Sequence, residues 1–214
     1  MINFPVLVEY KNLLIKGTIV SFKIAIMSCL ISMTFGALLG AIQLIGSKTL
    51  NFFVLSYMTI VDGTPKLIHL LIAMFLLPKL HISASPFWIV VIALGLGSVS
   101  SIAKKVKLNL SANIEQLEAA QTLGISSKKI IYRVLLPDAI KKLFPLSLDE
   151  FSTLFKNSSL GSVIGVSELM KSNNIMQNRS YDAPTALFAT FTIYWSVTTI
   201  LSIFTTWYKK RNKT

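Results

Sequence analysis

Two stretches without a single charged side chain limit what this chain can become: nothing between Lys23 and Lys48 is charged, and nothing between Asp182 and Lys209. Each is long enough to cross a bilayer as a helix, which takes about 20 predominantly apolar residues. The composition agrees. At 214 residues, 53% hydrophobic and with a mean hydropathy of +0.64, a water-soluble version would expose large apolar patches. The expected fold class is therefore an all-α membrane protein. The formal charge of +12 does not point to nucleic acid, because the basic residues flank apolar runs instead of forming one stripe interleaved with aromatics.

Five spans are expected in a single domain covering 1–214, at roughly 18–45, 50–78, 85–106, 138–158 and 185–208. Gly36 and Gly40 in the first form a small-xxx-small pair that permits close helix packing. The second span is interrupted by Asp62-Gly63-Thr64-Pro65-Lys66. Gly and Pro together bend or break a helix, and the freed backbone groups need protein or a water-filled path around them. Asp62 and Lys66 lie four residues apart and could pair on one helix face. Trp88 and Trp207 stand at span ends, where an aromatic belt would sit. The N-terminal MINFPVLVEYKN has no basic leader or cleavage site, so the chain is expected to keep it.

Charge sets the orientation. Lys48, Lys104, Lys105, Lys107, Lys128, Lys129, Arg133, Lys141, Lys142 and the basic tail fall on one side, against Lys11, Lys16, Lys79, Lys171 and Arg179 on the other. The denser side is expected in the cytoplasm, which puts the N-terminus outside and the C-terminus inside. Metal and redox chemistry find no support. Cys29 is alone in an apolar run, and neither His69 nor His81 has a partner at ligand spacing. His69 reads as a packing residue or a place on a solute path.

Between the third and fourth spans lies a long polar segment, Glu115 to Pro137. Glu115–Thr122 reads as a separate short helix ended near Gly124. Ser126 or Ser127 caps a second one through Ile130, Ile131, Val134 and Leu135 that stops at Pro137. The pattern Glu118-Ala119-Ala120, three residues, Gly124, nine residues, then Val134-Leu135-Leu136-Pro137 resembles the EAA loop of ABC importer permeases, apart from Val134. Gly63-Thr64-Pro65 with its leucine-rich continuation looks like the Arg-Gly-Thr-Pro-Leu segment of the polar amino acid (histidine and glutamine) permeases. Residues 155–169, FKNSSLGSVIGVSEL, are similar to that group's Lys-Asp-Thr-Ser-Leu-x-Ser-Val-Ile-Gly-Val-x-Glu-Leu, and Asp149-Glu150-Phe151 falls where it often has Asn-Glu-Phe. Two departures stand out: Asp62 replaces an Arg, and Lys104 falls where the group usually has an acid that in some relatives helps hold a basic substrate.

The resemblance implies the fold of a type I importer permease in a bacterial cytoplasmic (inner) membrane. It implies a second permease subunit, identical or related, two ATP-binding subunits docked at the 115–137 coupling loop, and an extracytoplasmic solute-binding protein. ATP and Mg would be bound by the partner ATPase; no phosphate-binding Gly-x-x-x-x-Gly-Lys-Ser/Thr loop occurs in this chain, which is expected to be a non-catalytic subunit. Glu118, Ala119, Ala120, Gly124, Leu136 and Pro137 are the expected coupling residues. The substrate site is expected around Glu150, with Asp149 competing for the role, together with Asn157, Ser158, Ser159, Gly63 and Thr64. A carboxylate at mid-membrane depth costs about 2.5–3.5 kcal/mol on insertion scales, so Glu150 should face a cavity or a partner such as Lys156 or Lys66. Three other readings are an importer permease for methionine or an anion, an ATPase-independent channel or carrier, and a membrane hydrolase. The carrier lacks the internal repeat such folds usually show, and the hydrolase lacks a convincing catalytic pair.

Overall fold

The computed structural model describes residues 2–122 and 136–211, and only the backbone over 44–45, 110–122 and 136–142. Among these residues the chain is helical, without strands: α1 (Phe4–Ile45), α2 (Lys48–Asp62), α3 (Lys66–Lys79), α4 (Pro86–Thr122), α5 (Leu136–Asn157), a 3-10 helix (Ser158–Ile164), α6 (Leu169–Ser180) and α7 (Ala183–Arg211). Length and composition qualify α1, α4 and α7 as membrane spans, and α2 with α3 as a fourth span bent by 107°. The α5 segment, expected as a further span, carries Lys141, Lys142, Asp149, Glu150 and Lys156 and is not among the helices that qualify within the described residues. It packs among α1, α4 and α7.

The first helix begins at Phe4, not near Thr18. Charges at Glu9, Lys11 and Lys16 disguise its beginning, but Pro5 suits a first turn. Val6, Leu7, Tyr10 and Leu14 also give this turn a face that packs on Leu169, Met176 and Ala186 of α6 and α7. Along the rest of α1, Leu14, Gly17, Ser21, Ile24, Ser28, Ser32, Gly36 and Gly40 are buried in steps of three and four that keep them on one face, with Ala25 and Cys29 buried beside them. Most of these are small. Where they run, α4 comes in close: a Cβ on Gly36 would lie 2.5 Å from the Ile102 Cβ, and one on Gly40 would lie 2.8 Å from the Ala103 carbonyl oxygen. Gly95 reciprocates from α4, facing Ile31. The main apolar core, around Ile24, Leu70, Val90, Leu94, Leu154 and Phe155, sits beside this seam.

The expected separate helix at Glu115–Thr122 is not separate. The backbone of α4 continues unbroken to Thr122, because no Gly or Pro interrupts it after Gly97. Pro137 lies in the first described turn of α5. The expected helix through Ile130 and Val134 and the turn at Gly124 lie outside the described residues.

One buried carboxylate ties the C-terminal third together. Glu168 caps α6 by accepting from the Met170 and Lys171 backbone N–H groups at 2.8 and 2.7 Å, and also takes Ser21 Oγ of α1 at 3.4 Å and Tyr194 Oη of α7 at 3.3 Å. Gly17 lets α1 pass close enough, since a Cβ there would meet Ser172 Oγ at 2.2 Å. Losing a helix cap costs about 1 kcal/mol and leaving buried partners unpaired adds about 1–3 kcal/mol. Glu168→Ala should therefore lower the thermal midpoint of the detergent-purified protein by several degrees, with Glu168→Gln intermediate.

Candidate functional site

The break in the second span comes from its sequence. Gly63 ends α2, its N–H reaching the Thr59 carbonyl, and Pro65 is the N-cap of α3 with no side-chain bond to the helix. Across this break Asp62 and Lys66 point to different partners on α4, and so do not pair as expected; the 107° bend takes them off a common helix face. Asp62 accepts from Lys104 Nζ at 2.6 Å and from Ser100 Oγ at 2.8 Å. Lys66 Nζ donates to Ser98 Oγ at 2.6 Å. Thr64 Oγ1 donates to the Ile60 carbonyl at 2.9 Å and also meets His69 Nε2. Just above, Tyr57 Oη donates to the Leu96 carbonyl at 2.7 Å.

Glu150 enters the same face of α4 from α5. It is 2% exposed and accepts from Ser101 Oγ at 3.3 Å, with Lys105 Nζ at 3.6 Å. Its basic partner is thus Lys105, not Lys156 or Lys66. Successive residues of a helix point about 100° apart, so Ser98, Ser100 and Ser101 fan out from one turn of α4 to Lys66, Asp62 and Glu150. This turn is the hub of the polar cluster, and sequence reasoning passed over its serines and Lys105. A usable signal was present in Gly97-Ser98-Val99-Ser100-Ser101 followed by Lys104-Lys105, hydroxyls in the middle of an otherwise apolar helix.

The other expected residues divide. Asp149 lies off the cluster, paired with Lys209 Nζ of α7 at 2.8 Å, both about half-exposed. Gly63 and Thr64 form the break itself. Asn157, Ser158 and Ser159 stand where α5 tightens into the 3-10 helix, which packs mainly on α4 and touches α3. Ser158 is buried, its hydroxyl spent on the Phe155 carbonyl at 2.8 Å, and the Ser159 carbonyl accepts from Ser162 Oγ at 2.7 Å. Glu118, Ala119, Ala120, Leu136 and Pro137 lie on described helix backbone without described side chains, and Gly124 lies outside the described residues. Among the described residues no group of His, Cys, Asp and Glu is arranged to hold a metal.

Chemically, the site gathers carboxylates, ammonium groups and hydroxyls at a broken helix. Known proteins are similar to this chain along most of its length. The family described as binding-protein-dependent transport system inner membrane component matches residues 16–214. An arginine transport system permease protein, ArtQ of Bacillus subtilis, is 28% identical over 189 residues, covering 87% of this chain and 83% of that protein. A putative glutamine transport system permease protein, GlnP of Rickettsia conorii, is 30% identical over 171 residues, covering 79% and 78%. The fold superimposes on a crystal structure of an amino acid ABC transporter with histidines at a TM-score of 0.89, with 26% identity and 99% of both chains covered. The inward-facing MetNI methionine ABC transporter shares the fold at a TM-score of 0.73 and 20% identity, over 91% of this chain and 94% of that one.

Proposed function

The chain belongs to the binding-protein-dependent transport system inner membrane components, and on that premise we propose that it is the subunit through which an ATP-driven importer passes a polar amino acid. The observation that carries the substrate class is Glu150, a buried carboxylate on a polar helix turn beside a broken span. Transporter sites of this kind form where discontinuous helices leave backbone and charged groups facing one another at mid-membrane. Glu150 accepts the α-ammonium of the solute, displacing Lys105; Gly63 and Thr64 at the break, with Asn157 and Ser159 nearby, line the solute's passage. Ser158 serves the backbone. The names of the amino acid permeases to which the chain is similar support the same class.

Transport proceeds by alternating access. A second permease subunit completes the pathway, an extracytoplasmic solute-binding protein delivers the amino acid, and two ATPase subunits holding ATP and Mg dock at the 115–137 loop. Their closure moves the loop and swings the helices as rigid bodies. The C-terminus faces the cytoplasm, where Lys209, Lys210 and Arg211 in the last turn of α7 satisfy the inward bias of positive charge. The test is uptake of labelled amino acids into liposomes holding the full complex, with and without internal ATP; uptake that ignores ATP overturns the reading. Within it, Gly124→Trp should leave ATP hydrolysis running while uptake per ATP falls severalfold, read by measuring both rates on one preparation.

A further inference from the structure

The polar cluster under the broken span holds more positive charge than negative, and the surplus lies on one side chain. Asp62 is matched by Lys104 at 2.6 Å and Glu150 by Lys105 at 3.6 Å. Lys66, half-buried, has only the Ser98 hydroxyl at 2.6 Å. Asp62, Glu150 and Lys105 are the charged groups that act on it, and among the described residues no carboxylate lies within ion-pair distance of its nitrogen. An ammonium out of bulk water with a neutral partner alone is a seat waiting for an anion.

His69 supplies an independent sign that a ligand belongs here. Thr64 Oγ1, which donates to the Ile60 carbonyl, meets the imidazole at Nε2. The other ring nitrogen, Nδ1, is buried with no hydrogen-bond partner. Residues three apart share a helix face: Lys66 meets α4 at Ser98, and His69 meets it at Gly97. An ammonium lacking an anion and a ring nitrogen lacking a partner therefore stand together on α3.

We propose that Lys66, supported by Ser98, seats a carboxylate of the transported solute, and that charge balance at the cluster selects an amino acid with an anionic side chain. The inference rests on the reading of Glu150 as the partner of the α-ammonium. With that ammonium in place of Lys105, the cations are Lys66, Lys105 and the solute's own nitrogen. The anions are Glu150 and the α-carboxylate, while Asp62 and Lys104 neutralise each other. A side-chain carboxylate makes the count even. A neutral side chain leaves one positive charge unmatched, and a guanidinium or a second ammonium leaves two.

The test uses the permease assembled with its ATPase subunits in nanodiscs, without the binding protein, and equilibrium binding of labelled L-glutamate, L-glutamine and L-arginine. Glutamate should bind tightest and arginine at least about tenfold more weakly. Lys66→Met should weaken glutamate about tenfold and narrow its advantage over arginine, whereas Lys66→Arg keeps the charge and should stay within about threefold of the parent. Ser98→Ala, which leaves the lysine in place, should have a smaller effect in the same direction. Equal binding of arginine and glutamate, binding of none of the three, or unchanged glutamate affinity in an assembled Lys66→Met complex overturns the proposal. ATP-dependent amino acid uptake by the same complex with its binding protein reports separately on the transport function, which stands whichever way Lys66 falls.

Discussion

Replacing Glu150 by Gln is expected to reduce amino acid uptake by at least tenfold, toward the detection limit, while the complex still assembles and hydrolyses ATP at its basal rate. The substitution keeps the shape of the side chain and an oxygen for the Ser101 hydroxyl at 3.3 Å. What it removes is the negative charge, and with it the charge-assisted bond to the solute's ammonium. Such bonds contribute about 1.5–3 kcal/mol, or roughly one to two powers of ten in affinity. Removing one member of a fully buried ion pair would cost about 3–5 kcal/mol in stability, but this pair is only part-buried, with Lys105 37% exposed. The folding cost should therefore be far smaller than the functional one, and the two are separated by measuring uptake and thermal unfolding on the same preparation. Asp149→Asn is the control. Its ion pair with Lys209 is about half-exposed, and such pairs contribute about 0–1 kcal/mol, so uptake should stay near the parent level. Parent-level uptake by Glu150→Gln would remove that carboxylate from the pathway.

How much of this was legible in the sequence depended on how local the physics is. The uncharged run after Lys23 and the run before Lys209 announce α1 and α7, because hydropathy is a property of the segment itself. Gly63 and Pro65 announce the break for the same reason: both act through backbone geometry within a residue or two. The first turns of α1 were hidden because Glu9, Lys11 and Lys16 look wrong for a span, while their helix is secured by tertiary packing on α6 and α7. Ion pairing was the least legible feature. Asp62 and Lys66 have ideal spacing for a continuous helix, and the break that their own neighbours impose sends one to Lys104, 42 residues away, and the other to Ser98. Reading Asp62 and Lys104 as two separate departures from the family pattern missed that each is the other's partner. Glu150 was picked out by its depth alone, but its neighbours Ser101 and Lys105 required the fold, since nothing in the sequence says which face of α4 meets α5.

The seam between α1 and α4 gives the largest expected effect on the protein itself, for Gly36→Leu. A Cβ at residue 36 lies 2.5 Å from Ile102 Cβ, 2.6 Å from Ile102 Cγ2 and 3.1 Å from the Val99 carbonyl oxygen. Ile102 has no exposure, and a β-branched side chain has few rotamers to offer. Overpacking of a core costs about 1–3 kcal/mol even when the neighbours adjust. Here one of the neighbours is backbone, and Gly40 repeats the close approach one turn on, so the two helices must separate along their length. Since α4 carries Ser98, Ser100, Ser101, Lys104 and Lys105, separation also takes apart the polar cluster. The expected result is little or no monodisperse complex, and no transport from what remains. Gly36→Ala should be milder, at about 1–3 kcal/mol, and Ile102→Ala should partly restore it by vacating the space that the new methyl needs. That coupling is what distinguishes a steric seam from a general loss of helix stability, because alanine has the higher helix propensity and would by itself stabilise α1. A thermal midpoint unmoved by Gly36→Leu would mean that the two helices do not meet at this residue.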